Sequence, residues 1–225
     1  MRISFVIPVL NEEKMIKDSL RNLQWLRKLG HEIIIVDGGS RDATVASAKL
    51  LACRVMSSAP GRSAQMNEGA KKSIGDVVCF LHIDSVFPRD GVKAMAEYLE
   101  GISEAWGRFD VQLSGRHVFF RIIERMMNFR SRLTGVATGD QAIFMTRQLF
   151  EKVNGYSLIP LMEDIEISSR LKRYHQPICL RQHVITSSRR WEVGGIYKTV
   201  WLMWRLRFAY WLGSDPKRLA QLYRQ

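Results

Sequence analysis

Apolar runs recur along the first half of the chain, separated by stretches of helical periodicity. "ISFVIPVL" (3–10), "EIIIVDG" (32–38), "CRVMSS" (53–58) and "DVVCFLHID" (76–84) are mostly apolar on both faces, the pattern of strands covered from both sides. Met15, Ile16, Leu20, Leu23, Trp25 and Leu26 fall on one stripe and predict a helix from Glu13 to Leu29. "SRDATVASAKLLA" predicts a second helix capped by Ser40, and "APGRSAQMNEGAKKS" a loop running into a third. Another helix follows Pro88. Strands alternating with helices predict an α/β fold, a mixed and mostly parallel sheet flanked by helices.

Beyond residue 105 the spacing changes. "AWGRFDVQL" (105–113) reads as a strand, 118–133 as a basic helix, and "GDQAIFMT" (139–146) as another strand. "LMEDIEISSRLKRY" (161–174) reads as a helix beginning at Glu163-Asp164, and "PICLRQHVITSS" (177–188) as a strand. No repeat, low-complexity run or long linker interrupts the chain. The expected organisation is one domain over 1–192 and a C-terminal amphipathic helical segment over 193–225. Within that segment, "IYKTVWLMWRLRFAYWLG" (196–213) carries Lys198, Arg205 and Arg207 among aromatic residues. Three cations make it a poor spanning helix. Two readings stay open: an interfacial helix on an anionic membrane, or a helix packed on the domain or in a dimer contact. "SDPKRLAQLYRQ" closes the chain as a short capped helix.

Composition narrows the classes. Hydrophobic residues at 46% and charged residues at 25% describe a globular protein rather than a disordered one. A net charge of +12 favours anionic partners: nucleic acid, an acidic membrane surface or phosphorylated substrates. Cys53, Cys79 and Cys179 lack zinc-ligand spacing and read as buried, reduced thiols of a cytoplasmic protein. The first apolar run is short, broken by Pro8 and followed by acidic residues, so it reads as a strand and not a signal peptide.

Candidate chemistry gathers at strand ends. Asn11, Glu12, Asp37, His82 and Asp84 all lie at carboxyl ends of predicted strands, the edge where open α/β sheets bind ligands. In an extended strand His82 and Asp84 would point the same way. They could hold Mn²⁺ or Mg²⁺ bridging two phosphates; a histidine followed by a helix-capping aspartate is the other reading. No G-x-G-x-x-G or G-x-x-x-x-G-K-[ST] is present, which removes the usual phosphate cradles of dehydrogenases and P-loop enzymes. Arg62 and Arg189-Arg190 are candidates to neutralise phosphate instead. The carboxylates of "MEDIEIS" suit either a helix start, where the dipole favours them, or a general base beside a cleft.

Taken together, "FVIPVLNEE", "IIIVDGGSRDAT", "FLHIDSVFP", "GDQAIFMTRQLFEKVNGY", "MEDIEISSRLK" and "SSRRW" occur in the order seen in family 2 glycosyltransferases, and residues 3–191 resemble that family. The resemblance is to its small bacterial single-domain branch with His first in the metal motif. It implies a single GT-A-type (Rossmann-like) domain and a divalent cation, Mn²⁺ or Mg²⁺. It also implies transfer of a sugar from a UDP- or GDP-sugar to an acceptor hydroxyl with inversion. Pro8, Asn11, Glu12, Asp37, Arg62, Asn67, Arg190 and Trp191 match donor-binding positions. Asp84 matches the last aspartate of the D-x-D metal motif, with His82 in place of the first. Asp164 matches the catalytic base, with Glu163 beside it, and Gly139, Asp140 and Gln141 are assigned to the acceptor side. Ser187 stands where the Q-x-x-R-W motif has glutamine, which disfavours a processive polymer synthase.

The expected partners are a nucleotide-sugar donor and a hydroxyl acceptor, lipid-linked or isoprenoid-type if the C-terminal helix lies on a membrane. Nucleic acid is not expected, because the cleft is acidic; a homodimer stays open. The expected location is cytoplasmic, with peripheral attachment to the inner face of the cell membrane left open. Two other functions remain: nucleotide-sugar binding or pyrophosphate cleavage without transfer, and a basic membrane- or nucleic-acid-binding module.

Overall fold

Seven strands form a single sheet in the order β3-β2-β1-β4-β6-β5-β7 in the computed structural model, which describes residues 1–224 and, for Arg190 and Arg224, the backbone alone. β1 (Ile3–Val9), β2 (Glu32–Asp37), β3 (Arg54–Ser57) and β4 (Val77–Phe80) run parallel. β6 (Phe144–Thr146) lies antiparallel between β4 and β5 (Trp106–Leu113), and β5 pairs in parallel with β7 (Ile178–Thr186). The sheet is mixed and mostly parallel, as the alternating pattern predicts.

Two-residue alternation divides the core between the faces. Phe5, Ile7, Ile33 and Ile35 join one cluster with α1 (Ile16–Asn22), α2 (Gln24–Lys28) and α5 (Gly91–Leu99). Val6, Ile34, Val36 and Val78 join the other with α4 (Arg62–Lys72), α7 (Arg147–Lys152) and α8 (Glu163–Leu171). Gly69 lets α4 lie directly on β1 and β2: a Cβ there would sit 2.4 Å from Val6 Cγ1 and 2.8 Å from Val36 Cγ2. α3 (Thr44–Ala48), α6 (Val118–Thr134), α9 (Arg189–Gly194), α10 (Ile196–Trp211) and α11 (Pro216–Arg224) complete the described elements.

Several boundaries differ from the expectation. The helix expected over 13–29 is two short ones broken at Leu23, where Leu23 N donates to Leu20 O at 3.2 Å; it also starts late, at Ile16, since Glu12 N donates to Thr44 Oγ1 at 2.7 Å and Ala43 N to the Glu13 carboxylate at 3.1 Å. Those bonds hold residues 12–13 against the loop before α3. Ser40 caps no helix; its hydroxyl accepts from Asn11 N at 2.8 Å, and α3 begins only at Thr44. Of "GDQAIFMT", only Phe144–Thr146 is strand; Gly139–Gln141 form a 3₁₀ turn, after which Ala142 takes a left-handed φ of 45°. Only Cys79 is buried; Cys179 is half-buried and Cys53 exposed.

The C-terminal helices pack over the turn before α8 rather than on the sheet. Leu206 of α10 and Leu219 of α11 are buried against Met162. The opposite side of α10 exposes Tyr197, Trp201, Trp204, Phe208 and Trp211. No helix among the described residues is long and apolar enough to cross a membrane.

Candidate active site

The carboxyl ends of β1 and β2 form one wall. Asp37 is buried and accepts from Gly39 N at 3.0 Å and Ser40 N at 3.0 Å, shaping the loop after β2. Asn11, with a left-handed φ of 56°, accepts from Arg41 N at 2.9 Å. Pro8 is half-buried in β1 opposite Val36. One residue here carries no sequence signal: Gln65 of α4 is buried and donates to Val9 O and Val36 O, each at 2.8 Å, clamping both strand ends. Asn67 turns away from this wall. Its amide donates to Tyr156 O and accepts from Tyr156 N, both at 2.8 Å, tying α4 to the segment after α7.

His82 and Asp84 do not form the extended pair that strand alternation predicts. β4 ends at Phe80, and Ser85 N donates to His82 O at 3.1 Å, so residues 82–85 turn. Asp84 caps no helix, since α5 begins at Gly91 with Asp90 before it. The Asp84 charge acts on Glu12, whose pKa is raised first by burial and then by Asp84, with Arg189 and Arg62 opposing. His82 faces the 3₁₀ turn instead: its Nδ1 lies 3.4 Å from Asp140 Oδ1. Its ring also leaves no room for a side chain at Gly139, where a Cβ would meet Nε2 at 2.7 Å.

The same turn reaches the catalytic candidates. Gly139 N donates to Asp164 Oδ2 at 3.0 Å, and Ile165 N to Asp164 Oδ1 at 2.8 Å. Glu163 is buried; burial pushes its pKa up, the Asp164 charge adds to this, and Arg62 offsets part. Asp140 is drawn the other way. Desolvation opposes its ionisation, but His82, Arg62 and Arg207 together outweigh that cost. Gln141 is fully buried and accepts from Thr138 N at 3.1 Å, so it shapes the turn.

Cations surround these acids. Arg62, at the start of α4, remains solvent-accessible within the cleft; desolvation lowers its pKa, yet Glu163, Tyr223, Asp140 and Asp164 hold it above its ordinary value. Arg189 is exposed and acts on Glu12, while the side chain of Arg190 lies outside the described residues. Trp191 packs on Leu113, Phe120 and Ile123. Two arginines emerge from the structure alone. Arg130 of α6 is pulled down to about 10, by burial first and then by Arg207, with Asp164 opposing. Arg207 of α10 is half-buried and acts on both Arg130 and Asp140.

Asp140 and Asp164 thus meet at one turn, and Arg62 acts on both of them and on Glu12 at the strand ends, the ligand-binding edge of an α/β sheet. Residues 4–152 match the family described as "Glycosyl transferase family 2". The chain belongs to that family.

A dolichol-phosphate mannosyltransferase of Pyrococcus furiosus is 22% identical over 179 residues, 75% of this chain and 49% of its own. The probable glycosyltransferase YdaM of Bacillus subtilis is 26% identical over 250 aligned positions, 99% of this chain and 58% of its own. The chain therefore spans about half the length of the curated relatives it matches. Among solved structures, mannosyltransferase PcManGT of Pyrobaculum calidifontis, in complex with GDP-Man and Mn²⁺, shares the fold with a TM-score of 0.64 at 17% identity. That match covers 98% of this chain and 68% of the other.

Proposed function

We propose that this chain is a glycosyltransferase that moves a sugar from a UDP- or GDP-sugar to an acceptor hydroxyl with inversion of the anomeric centre. The observation that carries this reading is the hydrogen bond from Gly139 N to Asp164 Oδ2, which joins α8 to the turn beside His82 and Asp140. In this family-2 chain it ties the proposed base to the turn that carries the acceptor-side candidate Asp140. Asp164, held by two backbone N–H groups, takes the acceptor proton as the hydroxyl oxygen attacks the anomeric carbon. The C–O bond to the diphosphate breaks on the opposite face, so configuration inverts. Arg62 and Arg189 stabilise the charge that develops on the leaving diphosphate. The strand-end loops of Asn11 and Asp37 hold the nucleoside.

A divalent cation fits the acidic corner of Asp84 and Glu12, two carboxylates near enough for one to raise the pKa of the other. No group of three protein ligands assembles among the described residues. Asp84 and Glu12 would hold Mg²⁺ or Mn²⁺ there, ions commonly bound by one or two carboxylates together with substrate phosphates. Such an ion would supply Lewis acidity to the leaving diphosphate. His82 faces Asp140 and the 3₁₀ turn, away from that corner.

The acceptor in this reading is lipid-linked, and the enzyme is cytoplasmic and peripheral to the inner face of the membrane. The exposed aromatic side of α10, with Lys198 and Arg205 beside it and no acidic residue in the helix, supports this. The name of the P. furiosus relative is consistent with it.

The decisive experiment is Asp164→Asn assayed for glycosylated product with radiolabelled UDP- and GDP-sugars. Turnover falling about 10²–10⁴-fold, with nucleotide binding retained, fits the base role. Sugar 1-phosphate and nucleoside monophosphate without glycosylated product in the parent would instead indicate pyrophosphate cleavage.

A further inference from the structure

Arg130 is a guanidinium without a counter-ion. Its Nε and Nη2 are buried and have no hydrogen-bond partner among the described residues, while Nη1 donates to Val136 O at 3.3 Å. The nearest acid that acts on it, Asp164, has both oxygens engaged by backbone N–H groups. Arg207 comes from a different element, next to Leu206, which is buried against Met162 immediately before α8. It too makes no ion pair among the described residues and lies close enough to Arg130 to disfavour its charge. Folding has brought two cations together, one with two buried donors unused. A guanidinium fork matches phosphate oxygens in pairs, and two forks match a dianion.

We propose that Arg130 and Arg207 together form a receiving site for a phosphate monoester carried by the acceptor, an inference that rests on the transferase reading above. The site belongs to the acceptor because it flanks Asp164 from α6 and α10. The cations that act on the donor-side carboxylate Glu12 are Arg189 and Arg62. Both helices also expose apolar stripes: Phe119, Ile122, Met126, Phe129 and Leu133 on α6, and the aromatic residues of α10. Phe119 and Tyr197 join the stripes, their ring centroids 5.2 Å apart. A phosphate bound between these helices can therefore carry an apolar chain that leaves along their surface.

The test is calorimetric titration of the full chain with n-decyl phosphate, decanol and inorganic phosphate, in the parent and in Arg130→Met, Arg207→Met and Arg130→Lys. UDP and GDP with Mn²⁺ are titrated in parallel. Decyl phosphate should bind the parent and decanol should not. Each methionine variant should weaken phosphate at least tenfold, the lysine variant less, with nucleotide affinity kept within twofold. Tighter binding of decyl phosphate than of inorganic phosphate identifies a lipid head group; equal binding identifies a small phosphorylated acceptor.

Unchanged phosphate affinity in the variants overturns the proposal, and so does a parallel loss of nucleotide affinity, which would assign the pair to the donor. Thermal unfolding reports whether each variant folds. Arg207→Met, on a helix that exposes one face, keeps the test decisive if Arg130→Met does not. Nucleotide binding without phosphate binding sinks this inference alone, whereas phosphate binding without nucleotide binding sinks the transferase reading and with it the acceptor role of the pair, leaving only a phosphate site.

Discussion

Single residues in the cleft are constrained by contact more than by type. Gly139 has no room for a methyl group because the His82 ring lies against it. Gly139→Ala should displace His82 and loosen its hold on Asp140, lowering kcat by roughly tenfold or more while Tm changes little. Steady-state kinetics beside a melting curve would show this, and unchanged kcat would refute it. Glu163 gives a prediction with a definite pH sign. Its raised pKa means the folded protein keeps this proton to higher pH than the unfolded chain does. The stability it contributes is full below the ordinary carboxyl pKa of 4.5 and is lost as pH rises through the raised value. Glu163→Gln should therefore raise Tm at pH 7, by an amount on the order of 2–4 °C, and the gain should vanish near pH 4. A gain that instead grows on acidification would contradict the assignment.

At the scale of elements, α8, which carries the proposed base, is supported by a neighbour distant in sequence. Met162, with a left-handed φ of 68°, turns the chain into α8 and is buried under Leu206 and Leu219. Leu206→Ala would leave a cavity beneath that turn, costing about 2–5 kcal/mol and shifting Glu163 and Asp164. Reduced kcat together with lower Tm is expected; a stability loss with kinetics untouched would separate α10 from the site.

The legibility of the elements follows the range of the forces that make them. β1, β2 and β4 are visible because each is an apolar run between turn residues, and their ends place Asn11, Glu12 and Asp37 at one edge. Extrapolating β4 to Asp84 failed because the chain turns after Phe80. "AIFM" reads as strand throughout, yet Ala142 reverses there, a local geometry that hydropathy does not encode. Arg130 and Arg207 were illegible because helical spacing makes each one cation among many. Only the approach of α10 to α6 brings them together.

For the whole molecule, charge and apolar surface coincide. The net charge of +12 and the joined stripes of α6 and α10 make one face both basic and aromatic. Vesicles containing anionic lipid should bind the protein, more weakly as salt rises because the attraction is screened within about 10 Å at 0.1 M. Trp201→Ser with Trp204→Ser should weaken binding at least tenfold without lowering Tm, since both rings are exposed. Vesicle flotation would decide it, and equal recovery of parent and variant would rule the face out.

The three-residue β6 has one more consequence. It stitches the nucleotide-side strands, β3-β2-β1-β4, to the pair β5-β7, which the Val86–Ile185 bridge also touches. Its pairing covers Val77 to Cys79 on one side and Trp106 to Gly107 on the other. A seam so short is the line along which the sheet can flex while the longer ladders stay intact. The turn over Gly139–Gln141, which carries both Asp140 and the anchor of Asp164, enters β6 almost at once. The seam of the sheet and the anchor of the proposed base are therefore one piece of chain, so a substitution that shifts β6 should displace the Asp164 carboxylate as well.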